Sequence, residues 1–235
     1  MSIKKYDINK VEQVLRDLFF NRWKQSTNNL YNNNLDPFSA ILSSAKNDMN
    51  IHNWIKSEEI RQLGKTEQNF IGILHQKLIS CFDGVEDLKT GRLLDTIYED
   101  KNIIAEIKNK FNTTKGNHKI AIYDDINNKL SEPKYKNFTG YYVEIIPKRP
   151  IRYNKEFTPP DNRTKERRPK NKNIRVIDGV SFYDLISGQN NTLSILFDDI
   201  VVLMPNIMKE YKMTFDNFSA EEFKILFNKV FLTDE

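Results

Sequence analysis

The chain has 235 residues, of which 39% are hydrophobic and 29% charged, and its net charge is +4. That make-up suits a globule long enough to bury one core, and it excludes a collagen-like repeat or a low-complexity chain. A single cysteine, Cys81, excludes an internal disulfide framework; with no apolar leader and no apolar run long enough to span a bilayer, the expected location is cytoplasmic, with no membrane partner.

Residues 7–20 place Ile8, Val11, Val14, Leu15, Leu18 and Phe19 at helical spacing. A polar, Asn-rich stretch follows to about Leu35. Asp36-Pro37 then reads as an N-cap and a first-turn proline opening a second helix. Thr66 is expected to cap a third helix ending near Ile79, with Phe70, Ile71, Leu74, Leu78 and Ile79 on its inner stripe. LLDTIYEDKNIIAEIKNK (93–110) reads as a β-hairpin. Gly116 to about Leu130 reads as a helix with Ile120, Ile122, Tyr123 and Ile126 inward, and FTGYYVEII (138–146) as a strand stopped by Pro147. Residues 148–173 are expected to form a long irregular excursion. Ile174–Ile177 is predicted as a short strand ending in an Asp178-Gly179 turn, and helices near 181–187, 191–203 and 218–231 close the chain. This order predicts an α/β (α+β) fold, a small mixed β-sheet flanked by helices with additional N- and C-terminal helices. One domain is expected, divided into a helical part (1–60), a core (61–147), a basic segment (148–188) and C-terminal helices (189–235).

The modest net charge hides an asymmetry. Residues 101–175 hold 19 Lys+Arg against 8 Asp+Glu, or +11, while the remainder holds 17 against 24, or −7. A basic middle in an acidic frame points to a local polyanion site. KRPIRYNKEFTPPDNRTKERRPKNKNIR (148–175) alone holds 11 Lys+Arg against 3 Asp+Glu. Arginine forks read guanine edges, while lysines and main-chain amides grip phosphate. Lys110, Lys115 and Lys119, around the expected start of the helix at Gly116, are placed to meet phosphates together with that helix's free N–H groups.

The hairpin carries the chemistry. A two-residue loop at Asp100-Lys101 pairs residues whose numbers sum to 201, setting Asp95 opposite Glu106 and Leu93 opposite Lys108. A loop at Lys101-Asn102 sets Asp95 opposite Lys108 instead. In either register, period-two alternation puts Asp95, Glu106 and Lys108 on one face. Leu94, Thr96, Tyr98, Ile103, Ala105 and Ile107 occupy the other, which is expected to be core. Two adjacent carboxylates repel unless a cation lies between them, and an oxygen-seeking divalent ion such as Mg2+ suits that place. Lys108, pointing the same way, suits orienting or deprotonating a water, or stabilising charge on a phosphorus centre. By spacing alone, a solvent-exposed, salt-bridged strand face is the commoner origin of such a pattern; the short apolar strands around it and the basic chain that follows narrow that gap.

Asp95 followed by Glu106-Ile107-Lys108 resembles the PD-(D/E)XK nuclease signature. IIAEIKNKFNTTKGNHKIAIYDDI (103–126) is similar to one group of type II restriction endonucleases, those that cut GGNCC or GGWCC palindromes. YYVEIIPK (141–148), FTPPDN (157–162) and IRVIDGVSFYDLISG (174–188) extend the resemblance, which runs from about Glu67 to Gly188. It implies a PD-(D/E)XK core with Asp95 and Glu106 as metal ligands, joined by the Ile107 carbonyl, and Lys108 as the catalytic lysine. Glu67, on the helix before the hairpin, would match the extra acidic residue of many members. Leu94 stands where the motif name has proline, a position without catalytic chemistry. The implied activity is Mg2+-dependent hydrolysis of both strands of double-stranded DNA at a short palindrome, leaving 5'-phosphates, by in-line attack of water. A palindromic target implies a homodimer, and host protection implies a cytosine methyltransferase in the same system. Charge and side-chain geometry make Arg163, Arg167 and Arg168 the candidates for base contacts, with Arg149, Arg152 and Arg175 behind them. Two other readings remain open: a structure-specific repair or recombination nuclease of the same fold, and a non-catalytic DNA-binding protein whose charged face is a salt-bridged strand.

Overall fold

Helix caps and strand alternation resolve into seven helices and six strands among the residues that the computed structural model describes: 5–18, 35–88, 94–114, 116–161, 164, 166–211 and 218–231. Leu93, Lys115 and Arg163 lie outside them. The chain divides into two units, Arg16–Ile73 and the larger Met1–Leu15 with Leu74–Glu235.

Helix α1 (Ile8–Arg16) follows Asp7, whose carboxylate accepts from the N–H of Asn9 and Lys10. In the smaller unit α2 (Pro37–Asn47) starts as expected, with Asp36 accepting from the Phe38 N–H and proline in the first turn. The third helix is much longer than predicted. Helix α3 spans Ile51–Ile79, and its N-terminal cap is Asn50, whose Oδ1 accepts from the Asn53 N–H at 3.0 Å. Thr66 does not cap it. Its hydroxyl donates to the Gln62 carbonyl one turn back at 3.2 Å, which satisfies the side chain in mid-helix.

The larger unit is built on one mixed sheet in the order β1-β2-β3-β4-β6-β5. Its strands are β1 (Val85–Asp87), β2 (Thr96–Tyr98), β3 (Ile103–Lys110), β4 (Thr139–Ile146), β5 (Asn154–Glu156) and β6 (Ile174–Asp178). The central trio β3, β4 and β6 is parallel, and β1, β2 and β5 pair antiparallel outside it. Helix α4 (Gly116–Ser131) connects β3 to β4. Helices α5 (Gly179–Ser187), α6 (Thr192–Glu210) and α7 (Ala220–Phe231) follow β6. The mixed sheet between helices is the predicted architecture.

The parallel trio is covered on both faces, as parallel strands require. Ile122, Tyr123 and Ile126 of α4 pack with Ile97, Ile104 and Tyr142 on one face. On the other, Phe182 of α5 meets Tyr141 with ring centroids 6.0 Å apart. At two positions a neighbour lies where a Cβ would go, the Ile145 backbone at Gly179 and the Ile126 side chain at Gly140. A Cβ on Gly179 would lie 2.4 Å from the Ile145 carbonyl oxygen, and one on Gly140 would lie 2.2 Å from Cγ2 of Ile126. Asp178-Gly179 is therefore not a free turn. Asp178 ends β6 and caps α5, its carboxylate accepting from the N–H of Ser181 at 2.9 Å and of Tyr153 at 2.7 Å.

Two further expectations are corrected. The basic excursion contains a strand, because the antiparallel pairing of β5 with β6 satisfies its main chain, and Phe157 just beyond it is buried. Helix α6 continues past Pro205 to Glu210 instead of ending near residue 203, held down by buried Val201, Ile207 and Met208. No single helix among the described residues is long and apolar enough to cross a membrane.

Candidate active site

Strands β2 and β3 pair in the register whose numbers sum to 201: Thr96 with Ala105, Ile97 with Ile104 and Tyr98 with Ile103. The link is a 3-10 turn over Glu99–Lys101, closed by Asn102 in the left-handed conformation. At Asp95 the ladder slips by one, since its N–H donates to the Ala105 carbonyl although Thr96 already faces Ala105. Such irregularities re-aim side chains. Here the Asp95 carboxylate turns onto β3 and accepts from the Ile107 N–H at 2.7 Å.

The charged face is not solvent-exposed. Ile97 and Ile104, on the same side as Asp95, Glu106 and Lys108, are as deeply buried as the opposite face with Thr96, Ala105 and Ile107. The three charged groups therefore sit at the carboxyl end of an apolar strand face, under α4. Lys108 Nζ donates to Glu106 Oε1 at 2.5 Å, with side chains only 22% and 13% exposed. The Asp95 and Glu106 carboxylates lie close enough for the charge of one to oppose ionisation of the other. Burial and the neighbouring Asp95 charge push Glu106 up to about 7, against the pull of Lys108. Burial also raises Asp95, against the Ile107 N–H and the Lys108 charge. Two neighbouring carboxylates that raise each other's pKa beside an ammonium suit a hard cation between them, and can orient a water at a phosphate.

This arrangement lies within a recognisable sequence. The chain matches the family model described as Eco47II restriction endonuclease over residues 3–212. The chain belongs to the Eco47II restriction endonuclease family. It is 36% identical over 180 residues to the type II restriction enzyme Eco47II of Escherichia coli, covering 76% of this chain and 75% of that one. It is 29% identical over 177 residues to the type II restriction enzyme Sau96I of Staphylococcus aureus, covering 74% and 67%. Membership of the Eco47II family makes it a restriction endonuclease, a hydrolase of DNA phosphodiester bonds.

The donor set at this endonuclease's hairpin suits a hard divalent ion. No group of three or more His, Cys, Asp or Glu side chains with metal-binding geometry is assembled among the described residues. The paired carboxylates of Asp95 and Glu106, with the Ile107 main chain alongside, match an ion that takes one or two carboxylates and keeps several waters. Gln76, in the last turns of α3, favours the ionised Asp95 carboxylate, against the burial that raises it. Sequence reading passed over Gln76, and nothing local marks it: it is a polar residue in a long helix, brought to Asp95 by packing. Glu67 lies in the smaller unit, exposed on α3.

Glu144 was also missed, although a lone carboxylate inside YYVEII is the same signal that singles out Glu106. It is the β4 register partner of Lys108, is buried, and is held by Lys119 Nζ at 2.7 Å and the Tyr153 hydroxyl at 2.5 Å. Lys119 also lies over the Tyr142 ring, 5.2 Å from its centroid. Lys110 is exposed at the end of β3. Of the arginines, Arg168 makes a fork onto Asp124 at 2.9 and 2.6 Å, and Arg152 pairs with Asp184 at 2.6 Å. Arg175 binds Asn154 through Oδ1 and the main-chain carbonyl. Arg149 and Arg167 are exposed, and Arg167 Nε donates to the Thr158 hydroxyl at 3.3 Å.

Proposed function

We propose that this protein cuts both strands of double-stranded DNA at a short palindrome of the GGNCC or GGWCC kind, leaving 5'-phosphates, with Mg2+ held by Asp95 and Glu106. The observation that carries the reading is the buried carboxylate pair with Lys108 hydrogen-bonded to it. Mg2+ supplies Lewis-acid polarisation of the scissile phosphate and lowers the pKa of water beside it. The protein's own groups do the rest. Ile107 fixes the Asp95 carboxylate through its N–H and offers its carbonyl as a further oxygen. Lys108 moves from Glu106 toward the reacting phosphate, orienting the attacking water and offsetting negative charge as it develops. Glu67, as the extra acidic residue, rests on the resemblance alone.

DNA is gripped by the basic middle of the chain. Lys110 and Lys115 meet phosphates at the start of α4, and Lys119, bonded to Glu144, faces the DNA beside them. Arg163, Arg167 and Arg149 reach bases or backbone, whereas Arg152, Arg168 and Arg175 must share or exchange partners within the chain to do so. A palindromic site is read by a two-fold homodimer in which each subunit cuts one strand. The system includes a cytosine methyltransferase that protects host DNA, and both act in the cytoplasm. Digestion of a sequenced plasmid with Mg2+, followed by mapping of the ends, tests this directly. Discrete fragments ending at one palindrome are expected. Cutting confined to forks, flaps or ends would replace the reading with a structure-specific nuclease.

A further inference from the structure

A cavity of about 470 Å3 opens beside the carboxylate site, near the carboxyl ends of β4 and β6. Open α/β sheets hold ligands outside the carboxyl ends of their parallel strands. It lies one strand over from the catalytic residues, since Glu144 in its lining is the register partner of Lys108. Its lining has three kinds of chemistry. Tyr153, Phe157 and Pro159 give the lining its apolar part: Tyr153 is half-buried with Lys155 5.3 Å from its ring centroid, and the buried Phe157 is stacked on Tyr142 at 4.8 Å and 20°. The floor is polar: Glu144, 7% exposed, with Lys119 bonded to it. The rim carries the cations Lys148, Arg149, Lys155 and Arg167 against one carboxylate, Glu156, a balance of +3, and no ion pair joins Lys148, Arg149 or Arg167 to a carboxylate among the described residues.

A bare phosphate would satisfy the rim and leave the walls uncovered. An uncharged apolar ligand would cover the walls and leave three cations uncompensated beside it. A nucleotide satisfies all three at once, and the volume lies within the roughly 300–1,000 Å3 of small-molecule sites. We propose that the cavity takes one nucleotide of the DNA substrate, turned out of the duplex near the scissile phosphate. Its base lies against Tyr153 and Phe157, and its phosphate meets Lys148, Arg149 and Arg167. The Watson–Crick edge of every base presents a donor next to an acceptor, which the Glu144 carboxylate and the Lys119 ammonium complement. A base that stays stacked and paired cannot enter a concave site, so the duplex must release it. The inference rests on the nuclease reading above.

The test is equilibrium binding by fluorescence anisotropy, in EDTA so that no DNA is cut. Labelled duplexes contain the mapped cleavage site, with each nucleotide in turn made abasic. The full-length protein is expected to bind one of these duplexes on the order of 10-fold tighter than the intact one, because that position no longer has to be unpaired. Filling the cavity with Thr158→Trp, or with Ile151→Trp at a lining residue that is 47% exposed, gives the second arm. The filled variant should bind intact duplex about 10-fold more weakly and recover on that one abasic duplex. If the wild type binds and cuts DNA but no position both tightens binding and rescues the variant, the proposal is overturned. A gain that comes without weakening of the filled variant on intact DNA reflects a more flexible duplex, and overturns it too. If the wild type neither binds nor cuts any duplex, it is the nuclease reading that fails.

Discussion

Replacing Glu106 by glutamine is expected to stabilise the metal-free protein at alkaline pH while removing its nuclease activity. Glu106 keeps its proton up to about pH 7, against an ordinary value of 4.5. At about 1.4 kcal/mol per pH unit, ionising it in the fold costs about 3 kcal/mol more than in the unfolded chain. Part of that cost belongs to the pair, since Asp95 titrates with it, so about 2–3 kcal/mol is the working figure. Between pH 4.5 and 7 the folded state holds more protons than the unfolded one. The contribution is therefore fully present below 4.5 and lost as the pH rises through 7. Glu106→Gln cannot ionise and escapes that decline, although Lys108 loses an ionic partner. At 2–4 °C per kcal/mol for a chain of this size, the variant should melt roughly 5–10 °C above wild type at pH 8 in EDTA, and level with it near pH 4.5. Thermal melts at the two pH values decide the matter. A variant that melts at or below wild type at pH 8 would show that the Lys108 ion pair outweighs burial and repulsion, and the case for a cation-requiring site would lose its physical basis.

The remaining predictions concern chemistry, grip and fold. Asp95→Ala and Lys108→Ala should each lower the cleavage rate at least about 100-fold while leaving DNA affinity in EDTA within a few-fold, as removal of a group acting on developing charge does; gel-shift and plasmid assays on the same preparations check this. Gln76→Leu removes a polar group that favours the ionised Asp95 and should weaken Mg2+ or Mn2+ binding about 10-fold, as measured by calorimetry without DNA. With about six cations on phosphates, DNA affinity should fall roughly 10³-fold between 50 and 200 mM salt, and a flat response would remove the basic segment from the interface. Gly179→Ala should cost about 1–3 kcal/mol in urea unfolding, because its methyl would meet the Ile145 carbonyl and push α5 off β4.

Much of the fold was legible because its signals are local. Asp36-Pro37 starts α2 where the cap and the proline ring place it, and FTGYYVEII is a strand because its β-branched and aromatic residues suit a sheet buried on both faces. The errors came where one local signal had two uses. Thr66 offers a capping hydroxyl, but in α3 that hydroxyl is satisfied one turn back, and the true cap at Asn50 lies far upstream. Asp178-Gly179 has turn composition, but the glycine is there for close packing and the aspartate to cap a helix. Strand β5 reads as polar loop because it is an exposed edge whose order comes from main-chain pairing with β6.

The same division runs through the candidate site. Period-two alternation places Asp95, Glu106 and Lys108 on one face in any even-loop register, so that grouping is a property of the sequence alone. Whether the face meets water or a helix depends on residues far along the chain. It is Ile122, Tyr123 and Ile126 of α4, packed on Ile97 and Ile104, that cover it. Burial raises Glu106, the slipped ladder turns Asp95 onto Ile107, and packing brings Gln76 and Glu144 close to the hairpin. Alternation is set by adjacent peptide units and is written locally. Desolvation and cross-element hydrogen bonds depend on what the rest of the chain lays over the hairpin, and only the folded structure decides that.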